Sequence, residues 1–375
     1  MKESLIIAVD ASRATIGQRT GTEGYSLQII QQLLEQGKQH RFRLYFRDEP
    51  PDDLFPTAEN IECRVILKRR LWTHTGLGPA IRREKPDVLF VPSHVVPWPG
   101  IGIIPVVVTV HDMGYLHYPD KHPLFDRLYL SWSTRYSAER ARRVIAISQA
   151  TRHDLVALNQ IAQDKIEVIY SGVDSLLRPV KSSAEIDTLK ERLGIPGPYI
   201  LHVGSLQARK NLSRLVDAFD HIKDLRQDLT LVLAGRQGWG YQQLQTKIQK
   251  LGLSGRVILP GYIPDKDLSA LYSGALAYVF PSLYEGFGFP ALEAMACEVP
   301  VICSNTSSLP EIVGNAALMF APTDVKGLAD HLEKVLTDGT LRDDLIQRGK
   351  EQIKQFTWEA TARQTLDILT EAANI

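Results

Sequence analysis

Short apolar runs rich in Val and Ile recur along the chain, each closed by turn residues and followed by a longer stretch with helical spacing: "LIIAVD", "FRLYF", "DVLFVPS", "PVVVTVHD", "RVIAIS" and "IEVIYSG". Runs that are apolar at successive positions suit strands covered on both faces, as in a parallel sheet flanked by helices. The first half therefore predicts an open α/β sheet. A polar stretch, "VKSSAEIDTLKERLGIPGP", interrupts the pattern, and a second series begins: "YILHVGS", "LTLVLAG", "RVILPG", "ALAYVFPS", "PVICS" and "ALMFAP". The boundary belongs near residues 172–184, and "FTWEATARQTLDILTEA" reads as a closing helix. The expected architecture is two Rossmann-like doubly wound domains facing one another across a deep interdomain cleft.

Composition narrows the function. The 375 residues suffice for two ordinary domains. With 43 basic against 43 acidic residues there is no overall field for nucleic acid or an anionic membrane, so any anion site must be local. Cys63, Cys297 and Cys303 are odd in number and lack metal-ligand spacing, which points to a reducing cytosol. Asp10 interrupts the apolar start "MKESLIIAVDAS", which reads as a first strand in place of a signal peptide. Nor does any apolar stretch reach the roughly 18 residues of a membrane-spanning helix. Cytoplasmic localisation is the expectation.

Parallel sheets bind ligands beyond the carboxyl ends of their strands, where loops lead into helix N-termini. Three such places stand out. After the first strand, Gly17, Gly21 and Gly24 precede an amphipathic helix, with backbone N–H groups suited to an anion but without the G-x-G-x-x-G spacing of a dinucleotide site; a plain flexible connection reads equally well. In the second half, Arg209 and Lys210 stand just before a helix with the apolar stripe Leu212, Leu215, Val216 and Phe219. Two adjacent cations there would neutralise a diphosphate. Third, "EGFGFPALEAM" supplies Gly286 and Gly288 for a tight loop and Pro290 for a first helical turn. Its carboxylates, Glu285 and Glu293, suit hydroxyl groups better than phosphate. Together the loops call for a ligand both anionic and hydroxyl-rich, such as a nucleotide sugar.

Glu285 and Glu293, seven residues apart, resemble the E-x7-E motif of retaining glycosyltransferases of family 4 (glycosyl transferases group 1), which have the GT-B fold. "GSLQARKNL", "VVVTVHDMGYLHYPD", "VIAISQATRHDLV", "IEVIYSGVD", "PVICSNTSSLPEIVG" and "FTWEATA" match the same family in order along nearly the whole chain. The resemblance implies an acceptor-side domain at 1–176, a nucleotide-sugar domain at 177–355, and a helix at 356–375 packing back toward the first domain. It implies that Glu285 meets the transferred sugar and Glu293 the ribose, that Arg209 and Lys210 hold the diphosphate with Gly286, Phe287 and Gly288, and that His111 faces the sugar. Gly21 and Gly24 would approach donor phosphate or acceptor, Glu23 would belong to acceptor recognition, and Gly204 and Arg236 would line the donor site. On sequence alone His111 also reads as a structural turn histidine.

The implied activity is transfer of a hexose, mannose from GDP-mannose or glucose from UDP-glucose, to a saccharide or lipid-linked acceptor in polysaccharide or glycoconjugate synthesis. Arg209, Lys210 and a helix N-terminus would stabilise the departing diphosphate, so no metal and no cofactor beyond the donor are expected. A nucleotide-sugar 2-epimerase of the same architecture, or a non-catalytic nucleotide-sugar binder, would use the same residues. Nucleic acid is not an expected partner. Peripheral membrane contact is an open expectation: Arg127, Arg135, Arg140, Arg142 and Arg143 lie near Tyr129 and Trp132, and Lys68, Arg69 and Arg70 near Trp72. Solvated helix faces with core aromatics are the competing account.

Overall fold

The first series of apolar runs pairs side by side, every strand parallel to its neighbours. β1 (Ile6–Asp10), β2 (Arg41–Phe46), β3 (Ile61–Val65), β4 (Val88–Val91), β5 (Val106–Val110), β6 (Arg143–Ala146) and β7 (Ile166–Val168) lie in the order β3-β2-β1-β4-β5-β6-β7. The structure, a computed structural model, describes residues 4–374 apart from positions 18, 69, 94, 122 and 123. Arg69 of the basic stretch thus lies outside the described residues. In the second series, β8 (Tyr199–Val203), β9 (Thr230–Ala234), β10 (Val257–Gly261), β11 (Ala275–Phe280), β12 (Val301–Ser304) and β13 (Ala317–Phe320) form a parallel sheet ordered β10-β9-β8-β11-β12-β13. Both sheets are doubly wound, and their strand order reverses at β1/β4 and at β8/β11. Those reversals open the crevices where such sheets hold ligands.

The burial follows the sequence pattern. Every residue of β4, β5 and β9 is buried, since helices cover both faces. β3 is the strand that the apolar pattern did not reveal. It closes the edge of the first sheet with the mixed sequence IECRV, and its Glu62 accepts from Arg43 at 2.9 Å and pairs with Arg64. Charge at an edge strand discourages pairing with another chain, which is why the position tolerates so few apolar residues.

The chain divides into two compact units, one of Met1–Leu116, Pro123–Gly172 and Phe356–Ile375, the other of His117–His122 and Val173–Gln355. Each has its own core. In the first, Leu89, Val91, Val106, Val108 and Val144 pack with Leu77, Tyr115 and Leu155. In the second, Leu231, Leu233, Ala277 and Val279 pack with Leu215, Val216 and Phe219 of the helix Leu212–Ile222. The closing helix Trp358–Asn374 belongs to the first unit: Thr361 donates to the Tyr170 carbonyl at 2.8 Å, and Gln36 to that of Glu359 at 3.1 Å.

Candidate active site

In the second unit, the loops after β8 and β11, the two strands at the reversal, bring together the residues singled out from sequence. Lys210 Nζ donates to Glu285 Oε1 at 2.6 Å, and Arg209 Nη1 lies 3.4 Å from Oε2 while donating to the Tyr284 carbonyl. All three side chains are nearly buried. Asn211 makes this convergence possible. Its backbone is left-handed (φ 60°), a conformation that Asn tolerates better than most residues, and its amide donates to the carbonyls of Pro281 (2.9 Å) and Pro322 (2.8 Å). The two loops are thereby tied across the reversal.

Burial alone would raise the Glu285 carboxyl, but the charges of Lys210 and Arg209 outweigh it and hold the group below the usual carboxylate range. It is therefore ionised at neutral pH, a carboxylate fixed between two cations. Lys210 also lies over the Phe280 ring, 5.0 Å from its centroid, so an apolar wall limits where the ammonium can turn. The cluster presents charge of both signs within one small volume. It can hold an anionic group on the cations and a hydroxyl on the carboxylate at once.

Glu285 is also held by its backbone. Its N–H donates to Ser307 Oγ at 2.8 Å, and the Ser308 hydroxyl donates to the carbonyls of Glu285 (3.0 Å) and Phe287 (2.6 Å). These serines lie in a stretch whose likeness to the family was plain, but nothing in the sequence assigned them this task. Gly288 then turns the chain into the helix Phe289–Ala296 with φ +125°, and an added Cβ would come within 2.9 Å of Leu309 Cδ2. Gly288→Ala is expected to destabilise the fold by about 1–3 kcal/mol; an unchanged melting temperature would show that the loop relaxes freely.

Glu293 stands in that helix and accepts from the Tyr272 hydroxyl at 2.8 Å. Desolvation raises its carboxyl to about 7, helped by the negative charges of Asp174 and Asp265 and opposed by the Tyr272 hydrogen bond. Glu285 and Glu293 are thus unlike: one is always charged, the other changes charge near neutrality.

Gly204 directly follows β8, and Gly235, directly after β9, has φ +145°; a Cβ there would collide with the Gly204 carbonyl at 1.8 Å. The two strand ends can therefore touch only through glycine. Arg236 follows, with its guanidinium over the Tyr262 ring at 5.2 Å. Beneath Gly204 lies a residue that sequence reasoning missed, His202. It is fully buried, and burial pushes its imidazole down to about 4. Nδ1–H donates to the Val279 carbonyl at 3.0 Å, which leaves Nε2 as the lone-pair nitrogen. A neutral ring there adds no positive charge beside Lys210.

His111, Gly21 and Gly24 belong to the first unit. His111 follows β5 and is buried, with Nε2 2.7 Å from the Pro92 carbonyl. Since a carbonyl only accepts, Nε2 carries the proton and Nδ1 the lone pair. Burial lowers the imidazole below its usual value, so the ring is neutral at pH 7. Tyr25 packs edge-on against it at 4.8 Å and shares a hydrogen bond with Thr109, 3.2 Å away.

Gly21 and Gly24 do not form a loop before the helix, as the sequence suggested. The helix runs Gly21–Gln36, and the Gly24 N–H donates to the Thr20 carbonyl at 2.9 Å. A capping box starts it early: the Thr20 N–H donates to Glu23 Oε2 at 3.0 Å. That bond, with Arg13 at 3.5 Å, occupies the Glu23 carboxylate, which the sequence had left to acceptor recognition.

The sequence reading also passed over an Asp-x-Asp in the second half, Asp265 and Asp267. Asp267 pairs with Arg192 at 2.8 Å, and the Tyr262 hydroxyl lies 3.5 Å from Asp265. Among the described residues no three His, Cys, Asp or Glu gather as a metal site. Of the aromatics in the basic stretches, Trp72 is core, but Tyr129 and Trp132 are exposed.

The comparisons with known proteins agree with this layout. Residues 185–352 match the family described as Glycosyl transferases group 1, and residues 19–175 that described as Glycosyltransferase Family 4. The chain is 35% identical to O-antigen chain mannosyltransferase B of Escherichia coli, over 93% of this chain and 95% of that protein. It is 33% identical to the serotype-specific mannosyltransferase WbdA of Escherichia coli over 75% of this chain, but that match spans only 34% of WbdA. Among solved structures, sucrose-phosphate synthase of Thermosynechococcus elongatus superposes with a TM-score of 0.77 at 21% identity, covering 98% of each chain. With the strand order of both sheets, these matches place the chain in the group 1, family 4 glycosyltransferases, as an enzyme of GT-B fold.

Proposed function

We propose that this glycosyltransferase moves mannose from GDP-mannose to a saccharide or lipid-linked acceptor in polysaccharide synthesis, with retention of configuration and without a metal. The observation that carries the reading is the buried cluster of Lys210, Arg209 and Glu285 at the reversal of the second sheet. The 35% identical relative, a mannosyltransferase, supports mannose as the sugar. An acceptor hydroxyl oxygen bonds to the anomeric carbon as the carbon–oxygen bond to the diphosphate breaks, and the hydroxyl proton passes to the departing phosphate. Arg209, Lys210 and the N-terminus of the helix Phe289–Ala296 stabilise the charge that develops there. Glu285 accepts from sugar hydroxyls and Glu293 from the ribose. His111, in the first unit, keeps Nδ1 as an acceptor for a substrate hydroxyl.

The test is a thermal-shift panel of GDP, UDP and ADP with their sugar conjugates, with and without Mg2+, followed by product analysis. A ligand that binds only the folded state raises the melting temperature. Stabilisation by GDP and GDP-mannose without metal, and an α-mannosyl product, are expected. Preference for UDP-glucose would overturn the donor, and conversion of donor to its 2-epimer without acceptor would overturn transfer.

The lipid-linked acceptor fits a surface of the first unit. Along the helix Leu124–Arg140, Leu124, Phe125, Leu128, Tyr129 and Trp132 recur at spacings of one face and are exposed, Phe125 by 78% and Trp132 by 47%. Trp98 stands edge-on to Trp132 at 6.3 Å. An exposed apolar strip of this kind suits the interface of a bilayer. Among the described residues no helix is long and apolar enough to cross a membrane. Changing both Phe125 and Leu128, which is 59% exposed, to Ser is expected to reduce co-sedimentation with anionic vesicles at least tenfold and leave the melting temperature unchanged; equal sedimentation of both proteins would refute the contact.

A further inference from the structure

The second unit has a cavity of about 490 Å3 outside the cluster of Lys210, Arg209 and Glu285. It lies between the helices Leu212–Ile222 and Tyr241–Lys250, against the loop after β8. Gln207, Asp217, Trp239, Gln243 and Lys247 line it. A second cavity of about 530 Å3 shares Gln243 and Lys247 and reaches Thr246 and Lys250, so the hollow extends along the helix. Volumes of this size lie within the range of small-ligand sites.

Trp239 gives the hollow its chemistry. It is 61% exposed, yet its position is built: its carbonyl accepts from the Ala208 N–H at 2.8 Å. Just before it in the chain, Gly238 lies so close to Gln207 that a Cβ would meet its Cγ at 2.5 Å. A large aromatic ring on a fixed backbone, exposed beside a hollow, is a natural platform for an apolar face of a ligand. Around it stand two planar amides, Gln207 and Gln243, each able to donate and accept. Lys247 is paired with Asp217, and Arg214 and Asp120 also line the first cavity, so its formal charges cancel. An exposed indole beside planar amides and side chains of both charges suits a ligand with an apolar C–H face and many hydroxyls to donate and accept.

We propose that this hollow is a saccharide-binding subsite that holds a neutral stretch of the acceptor or of the growing product. It rests on the reading that the acceptor is a saccharide. Ala208, in its wall, directly precedes Arg209 and Lys210, so a chain retained here stays on the unit that binds donor. The subsite acts on retention of polymer and leaves the chemistry of a single transfer unchanged.

The test uses the full-length protein with the tryptophan indole resonances followed by two-dimensional NMR while α-linked mannotriose is added to millimolar concentration. The expected result is that the Trp239 resonance, assigned by its loss in Trp239→Ala, shifts, and that Trp239→Ala and Gln243→Ala each weaken binding at least about tenfold. With donor and a long acceptor, both variants release shorter products, while their rate on a monosaccharide acceptor and their nucleotide-induced thermal shift match wild type. No movement of the Trp239 resonance overturns the proposal, as does movement with GDP alone, which would make the hollow part of the donor site. If nucleotides give no thermal shift in wild type either, the donor reading fails, and the mannotriose titration still decides the subsite separately.

Discussion

Lys210→Ala is expected to lower kcat/KM for transfer by about a thousandfold, the scale set by removing a preorganised group that stabilises developing charge. The loss has two physical parts. The leaving diphosphate loses its ammonium, and Glu285 loses the partner that donates to it at 2.6 Å. Breaking one side of a buried ion pair costs roughly 3–5 kcal/mol, so the variant is also expected to unfold at lower denaturant. Replacing both, Lys210→Met with Glu285→Gln, separates these parts: much of the stability returns because no carboxylate is left unpaired and Arg209 keeps its bond to the Tyr284 carbonyl, and activity does not. Steady-state kinetics beside urea unfolding would check this. If the double variant recovered activity with stability, the cluster would be structural, and the account of the leaving group would be wrong.

Glu293→Gln is the second large effect, and it changes sign with the property measured. The carboxyl is raised to about 7 in the folded protein, against an ordinary value near 4.5. The folded state therefore binds a proton more tightly than the unfolded chain, and the associated stability is full below about 4.5 and lost as pH rises through about 7. Above neutrality the wild type carries an ionised, poorly solvated carboxylate, so Glu293→Gln should melt higher at pH 8 and show no gain at pH 4.5. Binding runs the other way. A ribose hydroxyl donates to the ionised form, and the affinity observed scales with the competent fraction. Wild-type affinity for GDP should improve up to roughly tenfold from pH 6 to pH 8, and the variant should bind weakly with a flat profile. Calorimetric titrations at both pH values beside melting curves test the pair. A wild-type affinity independent of pH would rule out ionised Glu293 as the ribose acceptor.

The residues that were legible in the sequence share a cause. Arg209, Lys210, Glu285 and Gly288 sit at strand ends, where apolar runs stop and glycines, cations and carboxylates have no packing reason to appear. Runs such as "VVVTV" and "TLVLA" announced parallel strands because burial on both faces excludes polar side chains. β3 escaped because an edge strand needs no such run. The start of the helix at Gly21 escaped because its signal, Thr20 with Glu23, was read as loop chemistry and is in fact a cap.

By itself the sequence determined the class of fold, most of the strands, the family and the loops where glycines, cations and carboxylates gather, because these follow from local periodicity and from motifs contiguous in the chain. Only the tertiary structure decided what those loops do to one another. That Lys210 and Glu285, 75 positions apart, share a hydrogen bond depends on β8 and β11 becoming neighbours. The same holds for Asn211 reaching Pro322, Ser307 holding the Glu285 amide, and Tyr272 meeting Glu293. The charge states of Glu285, Glu293, His111 and His202 are likewise properties of the fold, since desolvation and neighbouring charge set them and neither exists until the chain has packed.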